Sequence, residues 1–319
     1  MFRTSIGVGA LLVAAAACGG SEEKETGKDP QQELPYCERA LDDRKAAVCQ
    51  AWNCAREAEV APAWTGDAAS CEPGDDPDVR AASVVLTNAY RFVAGLEPVE
   101  ADPALDEKAQ QCAVLMHANR SLSHEPPESW ACFDPVARQA ASNSNIATAD
   151  GYEAVHLYMA DSGASNSRSL GHRRWILSPP LEQIGVGTTD QFSCMWVVHP
   201  FEVDEAPFVA WPPPGKVPVE MIHGATPWSG NVDSIGWSIQ SNRIDLAGVG
   251  VVVREDGVER PVTLHPLLAR YGSRYALRIV PDGWGTTVGR TYSVEVTGAS
   301  EPISYSFELV DCAMRRVAP

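Results

Sequence analysis

Basic residues are scarce in this chain. Its 319 residues hold 25 Lys and Arg against 42 Asp and Glu, a net charge of −17. A chain so acidic repels phosphate backbones, so nucleic acid is not an expected partner. Long apolar runs are missing beyond the first residues, so no internal transmembrane helix is expected. No Cys-x-x-Cys pair occurs, which argues against a zinc ribbon or a thioredoxin-like redox site. No long internal repeat is visible.

What is present begins at the N-terminus. Arg3 precedes an uncharged run over residues 6–17, too short to span a bilayer and long enough for a secretory signal. The run ends in Ala15-Ala16-Ala17-Cys18-Gly19, which resembles the bacterial lipobox, with Ala15 where Leu is commonest. The resemblance implies removal of residues 1–17 and acylation of Cys18. Residues 18–34 are small, charged and polar without apolar periodicity, so they read as a tether. The expected location is outside the cytoplasm, as a membrane-anchored lipoprotein of the periplasm or the cell surface.

Nine cysteines occur. Setting Cys18 aside leaves Cys37, Cys49, Cys54, Cys71, Cys112, Cys132, Cys194 and Cys312, an even set suited to disulfides in an oxidising compartment. Sequence does not determine their pairing. The arrangement taken as an expectation has two bridges within the Cys37–Cys71 cluster, one from Cys112 to Cys132 and one from Cys194 to Cys312.

The length exceeds what one core usually holds, so two folded domains are expected beyond the tether. Residues 35–78 read as a Cys-rich helical segment and linker, with a helix over 40–59. A helix then starts near Asp78, with Ala82, Val85, Leu86, Ala89 and Val93 as its apolar stripe. Asp102 and Pro103 mark the start of the next, with Leu105, Ala109, Cys112, Ala113 and Met116 facing inward. Asp150 and Glu153 open a third as a capping box, ending near Asp161. Residues 170–177 follow, then strands over 184–188 and 194–198. Trp211-Pro-Pro-Pro-Gly215 reads as an extended linker. Beyond it, period-two runs at 234–239, 247–254, 275–280, 291–297 and 304–309 predict an all-β sandwich over residues 215–319, immunoglobulin- or fibronectin-like.

Two histidines sit in compact polar settings: His124 after Arg120-Ser-Leu-Ser, and His172 in Gly171-His-Arg-Arg-Trp175. Between them lie Ser142-Asn-Ser-Asn-Ile-Ala147 and Asp161. Imidazoles and a carboxylate can ligate a divalent metal or exchange protons near neutral pH. The plainer alternative is that each histidine is a hydrogen-bonding core residue, since nothing has the tight ligand spacing of a zinc motif. His117 and His156 fall on predicted helices and read as structural.

The order of motifs resembles a family. Asn88-Ala-Tyr-Arg91, Gly95-Leu-Glu-Pro-Val99, Asp102, Leu105, Ala109-Gln110, Ser123-His124, Ser144-Asn-Ile-Ala147, Gly171-His172 and Ile184-Gly-Val-Gly187 follow the series of the CAP superfamily. These are the cysteine-rich secretory, antigen-five and pathogenesis-related proteins and their bacterial SCP-like relatives. The resemblance places such a domain at residues 79–200 and implies an α-β-α sandwich with a central cleft, giving an α+β chain overall. The family's cleft shows two histidines and two acids. The histidines carry over to His124 and His172, and one acid to Asp161. The other acid position falls on Ser144, within Asn143-Ser144-Asn145, so a neutral hydroxyl replaces a carboxylate. That loss weakens a metal site, although His124, Asp161 and His172 with water could still hold zinc.

Three functions remain open at this level. In the first, the cleft of His124, Ser144, Asp161 and His172 is a binding module for a lipid, glycan or envelope protein, as the resemblance implies. In the second, the same residues form a metal-assisted or serine hydrolase, with Ser144, a histidine and Asp161 as a triad; no Gly-x-Ser-x-Gly elbow surrounds Ser144. In the third, the chain is a spacer that docks a partner through its β-sandwich. No residue is assigned a catalytic role. Arg173, Arg174 and Trp175 form either a basic, aromatic cleft rim, or an inward-packing Trp175-Ile176-Leu177 with arginines paired to carboxylates.

Overall fold

The computed structural model describes residues 36–200 and 206–312. The expected signal peptide, Cys18 and the expected tether to residue 34 lie outside the described residues. The chain divides into residues 1–39, of which a single 3-10 turn at Tyr36–Glu38 is described, and a compact unit of residues 40–319.

In the compact unit, α1 (Arg44–Glu57), α2 (Pro77–Val93), β1 (Glu100–Ala101), α3 (Pro103–Asn119), α4 (Pro135–Asn143), β2 (Ser144–Ala147), α5 (Gly151–Ala160), α6 (Gly171–Ile176), β3 (Gln183–Thr188) and β4 (Ser193–Trp196) come first. The starts follow local chemistry. Asp43, Asp76, Asp102, Asp134 and Asp150 each accept a backbone N–H of the first turn of the helix they precede. Helices α2, α3 and α4 also carry Pro in the first turn, where its missing N–H costs nothing. Helix α4 was not among the sequence expectations. Its Asp134-Pro135 start repeats that of α3, and its buried face is three alanines, Ala137, Ala140 and Ala141. On α2, Val85 departs from the expected stripe and is exposed.

Strands β1-β3-β4-β2 form one sheet, with β1 parallel to β3 and the other pairs antiparallel. One face carries α3 and α4 over a core of Ala109, Cys112, Met116, Ala140, Ile146 and Phe192. The other face packs against α2 and α5 through Leu86, Val155, Ile184, Val186 and Met195. This is the expected α-β-α layering. Helix α3 crosses β3 at close range because Gly185 and Gly187 have no side chain: a Cβ on Gly187 would lie 2.0 Å from the Ala109 carbonyl carbon. At that crossing Asp106 accepts from Val186 N at 2.7 Å, and the Gln110 side chain both accepts from Thr188 N and donates to its carbonyl.

The rest of the unit is β5 (Val209–Trp211), β6 (Gly215–Pro218), α7 (Glu220–His223), α8 (Val232–Ile235), β7 (Trp237–Ser241), β8 (Gly250–Glu255), β9 (Val258–Arg260), β10 (Val262–Pro266), β11 (Tyr275–Pro281), β12 (Thr291–Thr297) and β13 (Ile303–Val310). They form two sheets, β10-β11-β7-β5 and β6-β13-β12-β8-β9. Between the sheets lie Trp211, Trp237, Ile239, Ile279, Tyr292, Val294 and Phe307, all under 2% exposed, which makes this region a β-sandwich. The segment expected as a linker at Trp211–Gly215 is instead the crossover between sheets: β5 ends at Trp211 and β6 begins at Gly215, and the peptide before Pro212 is cis. Trp211 is wholly buried, so burial of an indole overrides the extended-linker reading of the prolines. The run expected to be a strand from residue 234 starts at Trp237, because Asn231 caps the short α8 ahead of it.

The bridges correct the expected pairing. Cys49 joins Cys312, Cys71 joins Cys132 and Cys112 joins Cys194; Cys37 and Cys54 are also disulfide-bonded. The Cys112–Cys194 bridge ties α3 to β4 across the small core. Cys49–Cys312 fastens α1 to the end of the β-sandwich, and Asn53 Nδ2 donates to the Cys312 carbonyl beside it. Sequence neighbours lose here because a bridge needs Cα atoms within roughly 7 Å, and the fold brings together residues 263 positions apart. One continuous core runs from α1 and α2 through α5 and both β-sheets.

Candidate functional site

His124, Ser144 and His172 line one open cleft of about 570 Å³, and Asp161 stands directly behind His172. The helices set this up. Asp161 is the C-cap of α5 with left-handed φ of 57°, a conformation Asp tolerates better than most side chains. It is fully buried. Its Oδ1 accepts from His172 Nδ1 at 2.8 Å and its Oδ2 from the Arg173 backbone N–H at 3.3 Å. Facing an ionised carboxylate, His172 Nδ1 carries the proton, and Nε2 is the acceptor of the neutral ring. The Tyr158 ring lies 5.4 Å from the imidazole, and Asn145 Nδ2 donates to the His172 carbonyl. Burial opposes the charged form of His172, but the charge and hydrogen bond of Asp161 outweigh it and raise its pKa above the ordinary value.

His124 is held differently. Its Nδ1 donates to the Ala141 carbonyl at 2.9 Å, so its Nε2 is likewise the free acceptor. Burial lowers its pKa; the Ala141 bond opposes this, and the charge of His172 adds to the lowering. The cleft thus pairs a histidine that favours its proton with one that sheds it.

Ser144 opens β2 and is 3% exposed, and its Oγ has no hydrogen-bond partner. The nucleophile–base contact that a triad needs is therefore not formed. Nor does the expected metal set assemble. Both Asp161 oxygens are taken by His172 and the Arg173 N–H, and among the described residues no group of three His, Cys, Asp or Glu side chains stands ready to hold a metal ion. The residues present do not fit zinc, and no step is assigned to one. The arrangement can hold polar groups and exchange a proton at His172 Nε2.

Trp175, Ile176 and Leu177 pack inward as one of the two readings expected, while Arg173 and Arg174 correct the arginine part of both. The two arginines are buried, and neither forms a cleft rim nor pairs a side-chain carboxylate. Arg173 donates to the carbonyls of Met159, Ala160 and Gly236. Arg174 donates to those of Ser169, Leu268 and Ser273 and to Ser273 Oγ. Trp175 is buried as expected, yet it also lines the cleft, with its ring edge-on to His199. His156 is structural: it is buried, bonds Tyr90 Oη at 2.9 Å, and has its pKa pushed down to about 4 by burial and the nearby Arg56. Sequence reasoning missed Arg270 and Tyr271, which close the cleft from the loop between β10 and β11. No motif marks them, since they lie 98 and 99 positions beyond His172 (270 − 172 and 271 − 172).

Comparison with known proteins adds to this geometry. No curated protein matches the chain. A solved structure, described as a 1.5 Å crystal structure of an extracellular protein containing a SCP domain from Bacillus anthracis str. Ames, is 22% identical with a TM-score of 0.29. The likeness covers 38% of this chain and 40% of that one, so the chain spans well under half of that relative's length. Residues 84–199 match the family model of CAP, the cysteine-rich secretory protein family. That match covers the ordered motifs, the α-β-α layers and all four cleft positions, and identifies the chain as one that carries a CAP domain with a β-sandwich following it.

Proposed function

We propose that this is an exported protein whose CAP cleft binds a ligand rather than cleaving one. The observation that carries the reading is the state of Ser144: its hydroxyl is buried at the cleft wall without a partner, so it is not hydrogen-bonded to the free Nε2 of His172 or His124. Such a hydroxyl lacks the adjacent base that would activate it. An unpartnered buried polar atom is costly unless something pairs with it, and a bound ligand would. Eight disulfide-bonded cysteines support an oxidising compartment. Acylation of Cys18 belongs to the same reading and rests on the lipobox-like sequence.

Native mass spectrometry of the exported protein incubated with envelope extract tests the reading. A retained ligand mass that is lost in Trp175→Ala is the expected result. Fluorophosphonate labelling of the wild type that vanishes in Ser144→Ala would overturn it in favour of a serine hydrolase. For the anchor, Cys18→Ala should move the protein from the membrane fraction to the medium or periplasm; an unchanged distribution removes the anchor.

A further inference from the structure

We propose that the cleft is a two-part anion site, with the CAP domain supplying His124, His172 and Ser144 and the β-sandwich loop of residues 267–274 supplying Arg270. It would take a small ligand that joins a carboxylate or phosphate to a ring or apolar body. This deepens the binding reading above and rests on it.

Charge is the first argument. The chain carries −17 overall, yet no Asp or Glu lines this cleft. Its one permanently charged lining group is Arg270, joined by His124, His172 and Tyr271 as titratable groups. The one nearby acid, Asp161, is fully buried and spent on His172 and the Arg173 N–H. Ser144 occupies the position where the resemblance leads one to expect a carboxylate, and its neutral Oγ is buried at the cleft wall with no hydrogen-bond partner. Around it Ser142, Asn145, Ser165, Asn166 and Ser169 make the wall polar, with their side-chain donors engaged by neighbouring protein acceptors. Trp175, Val198 and Tyr271 supply an apolar side for the rest of the ligand.

The loop is the second argument. Arg270 has φ of 69°, a left-handed conformation that is unfavourable for a long side chain and persists only where its surroundings enforce it. The enforcement is visible. Arg174 binds the Leu268 and Ser273 carbonyls on either side of Arg270. Leu268 N donates to the Arg168 carbonyl, and Ser178 Oγ to that of Gly272. Gly272 packs so close that a Cβ there would lie 2.3 Å from the Arg174 carbonyl oxygen, and Tyr271 rests on Gly171, beside His172. The buried Arg174 thus fixes a β-sandwich loop against α6. Arg270 itself is exposed and makes no ion pair among the described residues. A cation presented over a cleft in an acidic protein, and left unpaired there, is placed for an anion.

Isothermal titration calorimetry on the exported protein at about pH 6 decides it, using phenyl phosphate, benzoate and the neutral benzyl alcohol. Both anions should bind at least about tenfold more tightly than benzyl alcohol, and less tightly as salt rises. The tighter of the two anions assigns phosphate or carboxylate. Arg270→Ala should weaken anion binding about fivefold, and Ser144→Glu about tenfold, with benzyl alcohol unchanged. Arg270 is exposed, so its variant retains the fold even if Ser144→Glu does not. Equal binding of the three probes, or anion binding indifferent to Arg270→Ala, overturns the anion site and leaves the cleft-binding reading standing. Binding of neither anion also overturns it, whereas the cleft-binding reading fails only if the extract experiment returns no ligand.

Discussion

His172 Nδ1 donates to Asp161 Oδ1 at 2.8 Å, from the first turn of α6 to the residue that caps the C-terminus of α5. With the Arg173 backbone N–H on Asp161 Oδ2 and the Arg173 side chain on the Met159 and Ala160 carbonyls, the bond ties the two short helices together, and it fixes which imidazole nitrogen faces the cleft.

This pair makes stability fall at high pH. The folded-state pKa of His172 is raised, so its contribution is complete below the ordinary imidazole value and is lost as pH rises through the raised one. The difference in melting temperature between wild type and His172→Gln should shrink across that interval. A difference that is flat or grows with pH would show that Asp161 does not hold the imidazolium. Asp161→Asn should cost about 2 kcal/mol in acid, where the charged hydrogen bond is intact.

His156 works in the opposite direction. Its folded-state pKa is about 4 against an ordinary 6.5, so the unfolded chain takes up its proton first as pH falls. Stability should drop by about 3 kcal/mol between those values and level off below them. His156→Phe should remove that share of acid sensitivity while losing about 1 kcal/mol at neutral pH for the Tyr90 bond. Urea titrations from neutral pH down to about pH 4 would reveal an unchanged acid slope if the assignment is wrong.

Cys49–Cys312 closes the longest loop of the three bridges described above, with 263 positions between its ends. Replacing both residues with Ser should lower stability by roughly 2–5 kcal/mol through the freed unfolded chain. Limited proteolysis should then release the α1 segment first. Thermal unfolding with a melting temperature matching that of the wild type would show that α1 is held by packing of Val48, Trp52 and Ala55 alone.

Ser144→Ala should be neutral, or stabilising by up to about 1 kcal/mol, in the ligand-free protein, because its Oγ gives up no bond. A loss above about 2 kcal/mol would mean the hydroxyl has a structural partner. Differential scanning calorimetry of the two proteins gives the answer directly.

The helix starts were legible because they are local. Asp102-Pro103 and Asp150 place a side-chain oxygen within reach of N–H groups two or three residues on, and the structure uses them so. The grouping of His124, Ser144, Asp161 and His172 was legible through the resemblance of the ordered motifs to the CAP superfamily, and the short α5 and α6 bring Asp161 and His172 into contact. The same logic failed at Trp211–Gly215, where three prolines suggested a linker and burial of Trp211 made a crossover between sheets.

The sequence by itself determined the α-before-β order, the helix caps, the acidic charge and the even set of eight cysteines. These follow from residue type and spacing along the chain. The tertiary structure alone decided which cysteines meet, that Asp161 stands behind His172 rather than beside a metal, that Arg173 and Arg174 turn inward to carbonyls, and that Arg270 and Tyr271 reach the cleft from the β-sandwich. Each of those depends on segments far apart in sequence packing within a few ångströms of one another, which no local pattern of residues encodes.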